Sequence, residues 1–265
     1  MDSSHDNWQA AQHYQRYMGR WSERMAGLFL DWLDCPAGLA WLDIGCGTGA
    51  LSAAILRSCN PASLLGVDLA EDLLAGARAA LPDPRASFAR AGAGELPVSD
   101  NSIDVAASAL AYNFFPDRPA ALAEARRVLK PTGQLAIYVW DYAGGGLGFI
   151  DAFWQAARHV SERAANRDER TRFSFCTQEG LRDEVMAAGF TDVQVEALEM
   201  ETGFSDFNDF WQPFTLGSGP APGFLAQLEP EGRSALEELL RNRLGTSGPL
   251  SFPARVWAIR GSAHA

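Results

Sequence analysis

Three glycines and an aspartate near residue 45 have the types and spacing of a nucleotide-binding site. Asp43 ends a short apolar run, and Gly45, Gly47 and Gly49 follow it at alternate positions. Glycine allows the backbone angles of a tight turn and lets a ligand lie directly against the main chain. A carboxylate just before such a turn is a poor neighbour for a pyrophosphate and a good one for a cation. The pattern therefore favours a cationic ligand over a dinucleotide.

The flanking residues predict the elements that position this turn. A buried strand precedes it, and the run from Ala50 to Arg57 is typical of a helix, so the segment opens a nucleotide-binding βαβ unit. A second strand at 63–68 ends in Asp68, 19 residues after Gly49. An acidic residue about 20 residues after the turn receives ribose hydroxyls in such folds. Alternatively, Asp68 could cap the helix predicted at 71–81.

The sequence LDIGCGTG at Leu42–Gly49 resembles motif I of the class I S-adenosylmethionine-dependent methyltransferases. Two later stretches resemble the same family: AGAGELPVSDNSID at 91–104 and RRVLKPTGQLAIYVW at 126–140. The resemblance runs without a gap from Leu39 to about Tyr142. It implies S-adenosylmethionine as cofactor, S-adenosylhomocysteine as product, and methyl transfer to a small molecule. The alternative is a glycine turn that merely closes a βα unit.

The resemblance implies an α/β, Rossmann-like fold with helices on both faces of a mostly parallel, seven-stranded sheet in the order 3-2-1-4-5-7-6. The sequence patterns predict the remaining strands at 86–90, 103–110, 134–140, 191–200 and 252–260. We expect an N-terminal helical cap at 1–37, followed by the cofactor-binding domain at 38–265. This domain would carry cap insertions at about 143–176 and 203–248.

The family resemblance also implies which residues bind the cofactor. Tyr17 and Arg20 would lie on an N-terminal helix that covers it, although the same helix could simply pack on the domain with its arginines outward. Gly92 stands where many relatives have an aspartate that accepts from the adenine amino group. The main chain of Ala93 and Gly94, or the side chain of Glu95, would take that role. The full predicted set is Tyr17, Arg20, Asp43, Gly45, Cys46, Gly47, Asp68, Leu69, Gly92, Ala93, Gly94, Glu95 and Ser108.

Acceptor-binding candidates come from the strand ends and from an aromatic segment. Asn113 follows the fourth strand, where relatives often carry histidine, but it could be a turn residue bonded to local backbone. Phe207, Phe210, Trp211 and Phe214 form an aromatic stripe that fits either a pocket wall or ordinary core. The predicted acceptor-binding set is Asn113, Trp140, Tyr142, Phe210 and Trp211. We expect the N-terminal helix, the helix after Gly144–Gly148 and this stripe to close over the cofactor.

No catalytic residue can be assigned from the sequence. The sulfonium is already a good leaving group, so the protein mainly aligns the reactants and excludes water. Candidate bases are Tyr14, Asp141, Tyr142 and His159.

Composition limits the remaining function classes. The formal net charge of −11 argues against a nucleic-acid partner, and no apolar run approaches the ~20 residues of a membrane span. The N-terminus does not resemble a signal peptide, and the cysteines and histidines lack disulfide or metal-ligand spacing, so we expect a cytoplasmic protein without a metal. The chain could form a homodimer. The rival hypotheses are an NAD(P)-dependent oxidoreductase and an S-adenosylmethionine-binding regulator or cyclase without methyl transfer.

Overall fold

The computed structural model describes residues 18–217 and 219–263. Tyr14 and Tyr17 therefore lie outside the described residues. None of the helices within these two ranges is long and apolar enough to cross a lipid bilayer.

The described residues form one seven-stranded sheet in the order β3-β2-β1-β4-β5-β7-β6, which confirms the predicted order. Its first five strands pair in parallel, so the ends of β1, β2 and β4 lie at one edge. The strands are β1 (Ala40–Ile44), β2 (Ser63–Asp68), β3 (Ala86–Arg90), β4 (Ile103–Ala109), β5 (Leu129–Trp140), β6 (Thr191–Phe204) and β7 (Leu250–Ser262).

Helices connect these strands, with shorter helical segments in the second half of the chain. Two 3₁₀ turns, Tyr112–Phe114 and Gln212–Leu216, accompany the α-helices. The α-helices are α1 (Arg20–Leu33), α2 (Ala50–Ser58), α3 (Glu71–Ala80), α4 (Arg118–Val128), α5 (Gly148–Val160), α6 (Ala164–Arg167), α7 (Glu169–Arg172), α8 (Gln178–Ala187), α9 (Phe207–Trp211), α10 (Pro220–Ala226) and α11 (Pro230–Leu244).

The start of β5 differs from the prediction. The strand begins at Leu129, which pairs with Ile103, so α4 does not extend to Lys130. Lys130 precedes a proline, and that position disfavours helical backbone angles. Its ammonium instead lies 2.8 Å from the Asp104 carboxylate. Residues 131–133 lie at a register shift in β5, after which Gln134 pairs with Val105.

The chain divides into two compact units, each described by itself. The larger unit comprises residues 19–139, 178–198 and 257–263, and it holds the glycine turn. The smaller unit comprises residues 140–177 and 199–256, together with Met18. The predicted insertions at 143–176 and 203–248 fall inside the smaller unit, and their role as a cap stays a prediction.

Helix α1 packs on the larger unit through one face. Met25, Phe29 and Leu33 are buried, and the Phe29 ring lies 4.6 Å from that of Tyr138. Arg20 and Arg24 are exposed, as the interpretation with outward arginines requires. The guanidinium of Arg20 lies 4.4 Å from the centre of the Trp21 ring. A cofactor contact by Arg20 stays a prediction.

The core of the smaller unit is aromatic. Helix α5 buries Ile150, Phe153, Trp154 and Ala157, and the ring of Phe153 stacks on that of Phe214 at 4.6 Å. The aromatic stripe is buried in the same core, as the core interpretation expects; its members are Phe204, Phe207, Phe210, Trp211 and Phe214. Strand β6 continues past Met200 because Thr202 and Phe204 extend its buried face.

Candidate functional site

Hydrogen bonds tie the glycine turn to the end of β2. The amides of Gly45 and Cys46 both donate to the Val67 carbonyl oxygen, at 2.8 and 3.0 Å. The Gly47 amide donates to the Asp68 carboxylate at 3.0 Å. These bonds to the end of β2 fix the path of the turn before a ligand binds. Ligand binding therefore does not have to offset the entropy cost of ordering the turn.

Two of the glycines are required for different reasons. Gly45 has a φ of +75°, and a Cβ placed on it would lie 2.5 Å from the Ala111 Cβ. Gly47 has a φ of +53°, and a Cβ there would meet no atom within 4 Å. The main chain at Gly47 thus borders open space, where a ligand can approach the backbone directly.

Asp68 does not cap the following helix, so that alternative is wrong. Helix α3 begins after Ala70, whose side chain makes no capping hydrogen bond. The Asp68 carboxylate instead accepts from the Gly47 amide through Oδ2 and from the Ala70 amide, 2.9 Å away, through Oδ1. Each carboxylate oxygen can accept more than one hydrogen bond, so Asp68 keeps capacity for two ribose hydroxyls.

Asp43 is fully buried at the end of β1. Its Oδ2 accepts from the Ser52 hydroxyl at 2.6 Å, whereas its Oδ1 has no hydrogen-bond partner in the described part of the chain. Burial raises the pKa of the Asp43 carboxyl from 3.8 to about 7, and the charge of Asp68 adds to this shift. A cation bound near Asp43 would lower the pKa of this carboxyl and favour its ionised form.

The buried side chains of Ser108 and Cys46 stabilise the glycine turn. The Ser108 hydroxyl, buried in β4, donates to the Ile44 carbonyl oxygen at 2.8 Å. Cys46 is buried, and burial raises the pKa of its thiol far above the usual value. Both side chains therefore act on the turn through packing and main-chain bonds in this structure.

The segment predicted to surround adenine lies after β3. Leu69 is 61% exposed, and a Cβ on Gly92 would lie 3.7 Å from its side chain. The Glu95 amide donates to the Gly92 carbonyl oxygen at 3.1 Å, and its side chain is exposed. Whether the main chain of Ala93 and Gly94 or the Glu95 carboxylate receives adenine stays a prediction.

Two side chains, Tyr112 in the loop after β4 and Arg118 at the start of α4, bond one carboxylate of α8, and we call this arrangement the clamp. The Tyr112 hydroxyl donates to Glu184 of α8 at 2.7 Å, and Arg118 bonds the same carboxylate at 2.7 Å. Leu110, at the start of the loop, has a φ of +57°, an uncommon backbone state for a leucine. Strained residues of this kind cluster at functional sites.

Asn113 lies within this loop and is 1% exposed. Neither atom of its carboxamide has a hydrogen-bond partner among the described residues. The alternative of a turn residue bonded to local backbone is therefore wrong.

The remaining predicted acceptor residues belong to the smaller unit. Trp140, Tyr142, Phe210 and Trp211 are all buried there, and their role in acceptor binding stays a prediction. Among the candidate bases, Asp141 forms a buried ion pair with Arg255, and His159 is exposed on α5.

The glycines after β5 pack around that ion pair. The Gly144 amide donates to Asp141 at 2.8 Å. A Cβ on Gly144 or Gly146 would collide with the Asp141 side chain, and one on Gly145 would collide with Arg170. Close packing against Asp141 and Arg170 therefore accounts for these glycines.

A small cavity inside the smaller unit has no counterpart among the sequence-based predictions. Tyr142, Ile150 and Trp154 line it together with the buried acids Asp168 and Glu169. The Trp154 indole donates to Glu169, and Arg158 pairs with Asp168. Burial raises the pKa of Glu169 to about 8, and the charge of Asp168 adds to this shift. Asp168 and Glu169 lie in an arginine-rich segment, and nothing in that sequence pattern indicates that the two acids are buried.

Residues 42–137 match the family model described as a methyltransferase domain. This region is a class I S-adenosylmethionine-dependent methyltransferase domain. It contains the glycine turn, Asp68 and the loop after β4. The predicted family and its cofactor are thereby confirmed, whereas the cofactor contacts of the individual residues stay predictions.

Curated relatives of this methyltransferase domain act on different acceptors. The chain is 28% identical over 173 residues to a malonyl-[acyl-carrier protein] O-methyltransferase of Methylococcus capsulatus, covering 64% of this chain and 58% of the relative. It is 34% identical over 113 residues to a 2-phytyl-1,4-naphtoquinone methyltransferase of Trichormus variabilis, covering 41% and 49%. These matches span about half the length of each relative.

Solved structures share the fold of the methyltransferase domain. A Bacillus halodurans protein classed with the methyltransferases superposes with a TM-score of 0.62 at 17% identity, covering 91% of this chain and 99% of its own. A Haemonchus contortus phosphoethanolamine N-methyltransferase, solved with phosphomonomethylethanolamine and S-adenosylhomocysteine, gives 0.61 at 19% identity, covering 96% and 57%. At these identities the likeness shows the fold alone.

Proposed function

We propose that this protein transfers the methyl group of S-adenosylmethionine to a small, mostly apolar or aromatic acceptor. The observation that carries the proposal is the glycine turn, whose open face at Gly47 lies beside the Asp68 carboxylate. An open main chain beside an acidic residue suits a nucleoside whose ribose offers two hydroxyls.

The residues of the larger unit fit this cofactor. The open backbone at Gly47 leaves room for it, and Asp68 retains acceptor capacity for the ribose. Asp43 has a buried oxygen that finds no hydrogen-bond partner among the described residues. When bound, the cofactor supplies a methyl group on a positively charged sulfur. The protein's part is to hold the two reactants in line and to keep water out.

Adenine would lie along the segment at 92–95. With Gly92 in place of an acidic residue, the main chain of Ala93 and Gly94 would receive the adenine amino group. A neutral carbonyl acceptor binds more weakly than a carboxylate, so we expect a looser cofactor site than in relatives with aspartate.

The nature of the acceptor is inferred from the smaller unit. Trp140, Tyr142, Phe210 and Trp211 would contribute its binding surface, and aromatic side chains favour a ligand with large apolar faces. The named relatives methylate a carboxyl-bearing acyl carrier and a naphthoquinone. An attacking oxygen, nitrogen or carbon is compatible with the proposal.

Replacing Asp68 by asparagine is expected to raise the Kd for S-adenosylhomocysteine by roughly tenfold or more. A hydrogen bond to a charged group is worth about 1.5–3 kcal/mol, and the variant loses that charge. Calorimetry gives the Kd directly, and Asp72→Asn on the exposed start of α3 is the matched control. An unchanged Kd for Asp68→Asn would remove this residue from the cofactor site.

Cofactor binding at pH 7 is expected to release roughly half a proton from Asp43. With a pKa of about 7 the free carboxyl is about half protonated, and a nearby cation lowers that pKa. The buffer takes up the released proton, so its ionisation enthalpy contributes to the measured heat of binding. Calorimetry in two buffers with different ionisation enthalpies should therefore give different binding enthalpies. The difference should vanish in Asp43→Asn, and a wild-type protein without any buffer dependence contradicts the prediction.

Methyl transfer itself is tested by S-adenosylhomocysteine formation with a panel of phenols, carboxylic acids, amines and quinones. At least one class should give turnover that depends on the acceptor. Tight cofactor binding without turnover on any of them would favour a cofactor-binding protein that does not transfer methyl groups.

A further inference from the structure

Asn113 is the most unusual polar side chain of the larger unit. It is 1% exposed, and within the described ranges its carboxamide makes no hydrogen bond from either the oxygen or the nitrogen. Burial of a polar group without a partner costs free energy, so native structures almost always provide one. A buried amide that lacks one in the free protein is therefore suited to a partner that arrives with a ligand.

The backbone on both sides of Asn113 is fixed by hydrogen bonds of its neighbours. Its 3₁₀ turn is fixed on one side by the Tyr112–Glu184 hydrogen bond and on the other by Arg118, which bonds the same carboxylate. At the start of the loop, the amide of Leu110 donates to the Tyr138 carbonyl oxygen at 2.9 Å. The clamp holds Asn113 in place before any ligand binds, which lowers the entropy cost of binding.

The same loop borders the cofactor turn within the larger unit. A Cβ on Gly45 would meet the Ala111 side chain and, at 3.4 Å, the ring of Phe115. Asn113 lies between these two residues in the loop. The loop that carries Asn113 therefore packs against the glycine turn.

We propose that the Asn113 carboxamide binds the hydroxyl group of a neutral aryl acceptor. An amide offers a donor and an acceptor but no charge, so in a dry site it suits a hydroxyl better than a carboxylate or an ammonium. This proposal deepens the proposed function by naming the acceptor's polar group. It makes Asn113 a specificity-determining residue, whereas Glu184 and Arg118 act on the ligand only through the position of the loop.

The test compares 2-naphthol with 2-methoxynaphthalene, binding to the full-length protein saturated with S-adenosylhomocysteine. The two probes differ only at the hydroxyl. Wild-type protein should bind 2-naphthol more tightly, on the order of tenfold, and Asn113→Leu should lose this preference. Because this measurement needs no turnover, it separates failure of the inference from failure of the proposed methyl transfer.

Stability provides the second readout. Asn113→Leu replaces an unpartnered amide by an apolar group of similar size, so its melting temperature should be equal to or above that of the wild type. A melting temperature that falls while the probe preference persists would show a structural role and overturn the proposal. So would a weaker affinity for S-adenosylhomocysteine in the variant, or wild-type protein that binds both probes equally or neither.

Discussion

Between pH 5 and pH 9 the wild-type protein is expected to lose several kcal/mol of stability, and Glu169→Gln is expected to lose less, most clearly above pH 7. Burial raises the pKa of Glu169 from 4.5 to about 8, so the folded state binds this proton more tightly than the unfolded state. The stabilisation is complete below pH 4.5 and is lost as the pH rises through 8. The full shift corresponds to an upper bound on the order of 5 kcal/mol.

Urea unfolding at a series of pH values measures this slope. Glutamine keeps an oxygen that can accept from the Trp154 indole, so the variant should fold. Asp43 contributes a slope of the same sign below pH 7, because its pKa is raised from 3.8 to about 7, so the two proteins should differ most above pH 7. Glu162→Gln, an exposed change in the same segment, is the control and should follow the wild type. An equal slope in Glu169→Gln would contradict the prediction.

Replacing Arg255 by alanine is expected to destabilise the protein by about 3 kcal/mol. Its guanidinium bonds Asp141 through two nitrogens, at 2.9 and 2.5 Å, and Asp141 is only 2% exposed. Removal of one partner leaves a buried charge, which costs roughly 3–5 kcal/mol. We expect the lower end because the Arg255 side chain is 35% exposed.

A double-mutant cycle identifies the cause of this loss. Adding Asp141→Asn to Arg255→Ala removes the stranded charge, so the double variant should be more stable than Arg255→Ala alone. Arg78→Ala breaks an exposed ion pair with Glu71 and should change stability by less than about 1 kcal/mol. Additive effects of the two changes at 141 and 255 would show that the pair is not coupled.

The parts predicted best are those with local causes. Strands β2 and β3 begin and end where the sequence indicated, because short apolar runs lie between turn residues on both sides. The glycine turn was predictable because its backbone angles and close contacts exclude other residues. The sheet order followed from the family resemblance, which fixes connectivity that local patterns leave open.

The parts predicted poorly depend on distant contacts. The start of β5 at Leu129 depends on pairing with Ile103, and the hydrogen bond that Asp68 accepts comes from the Gly47 amide 21 residues earlier. The isolated amide of Asn113 and the buried carboxyl of Glu169 are properties of packing. No pattern of neighbouring residue types encodes them.

The packed glycines after β5 constrain how this protein can diversify. Any substitution at Gly144 or Gly146 would push a side chain into Asp141 and thereby disturb its bond to Arg255. Such variants lose stability before they can gain a new acceptor, so selection would remove them whatever their catalytic merit. Natural drift and laboratory libraries should therefore alter acceptor choice through other segments, and randomising these positions would mostly yield unfolded protein.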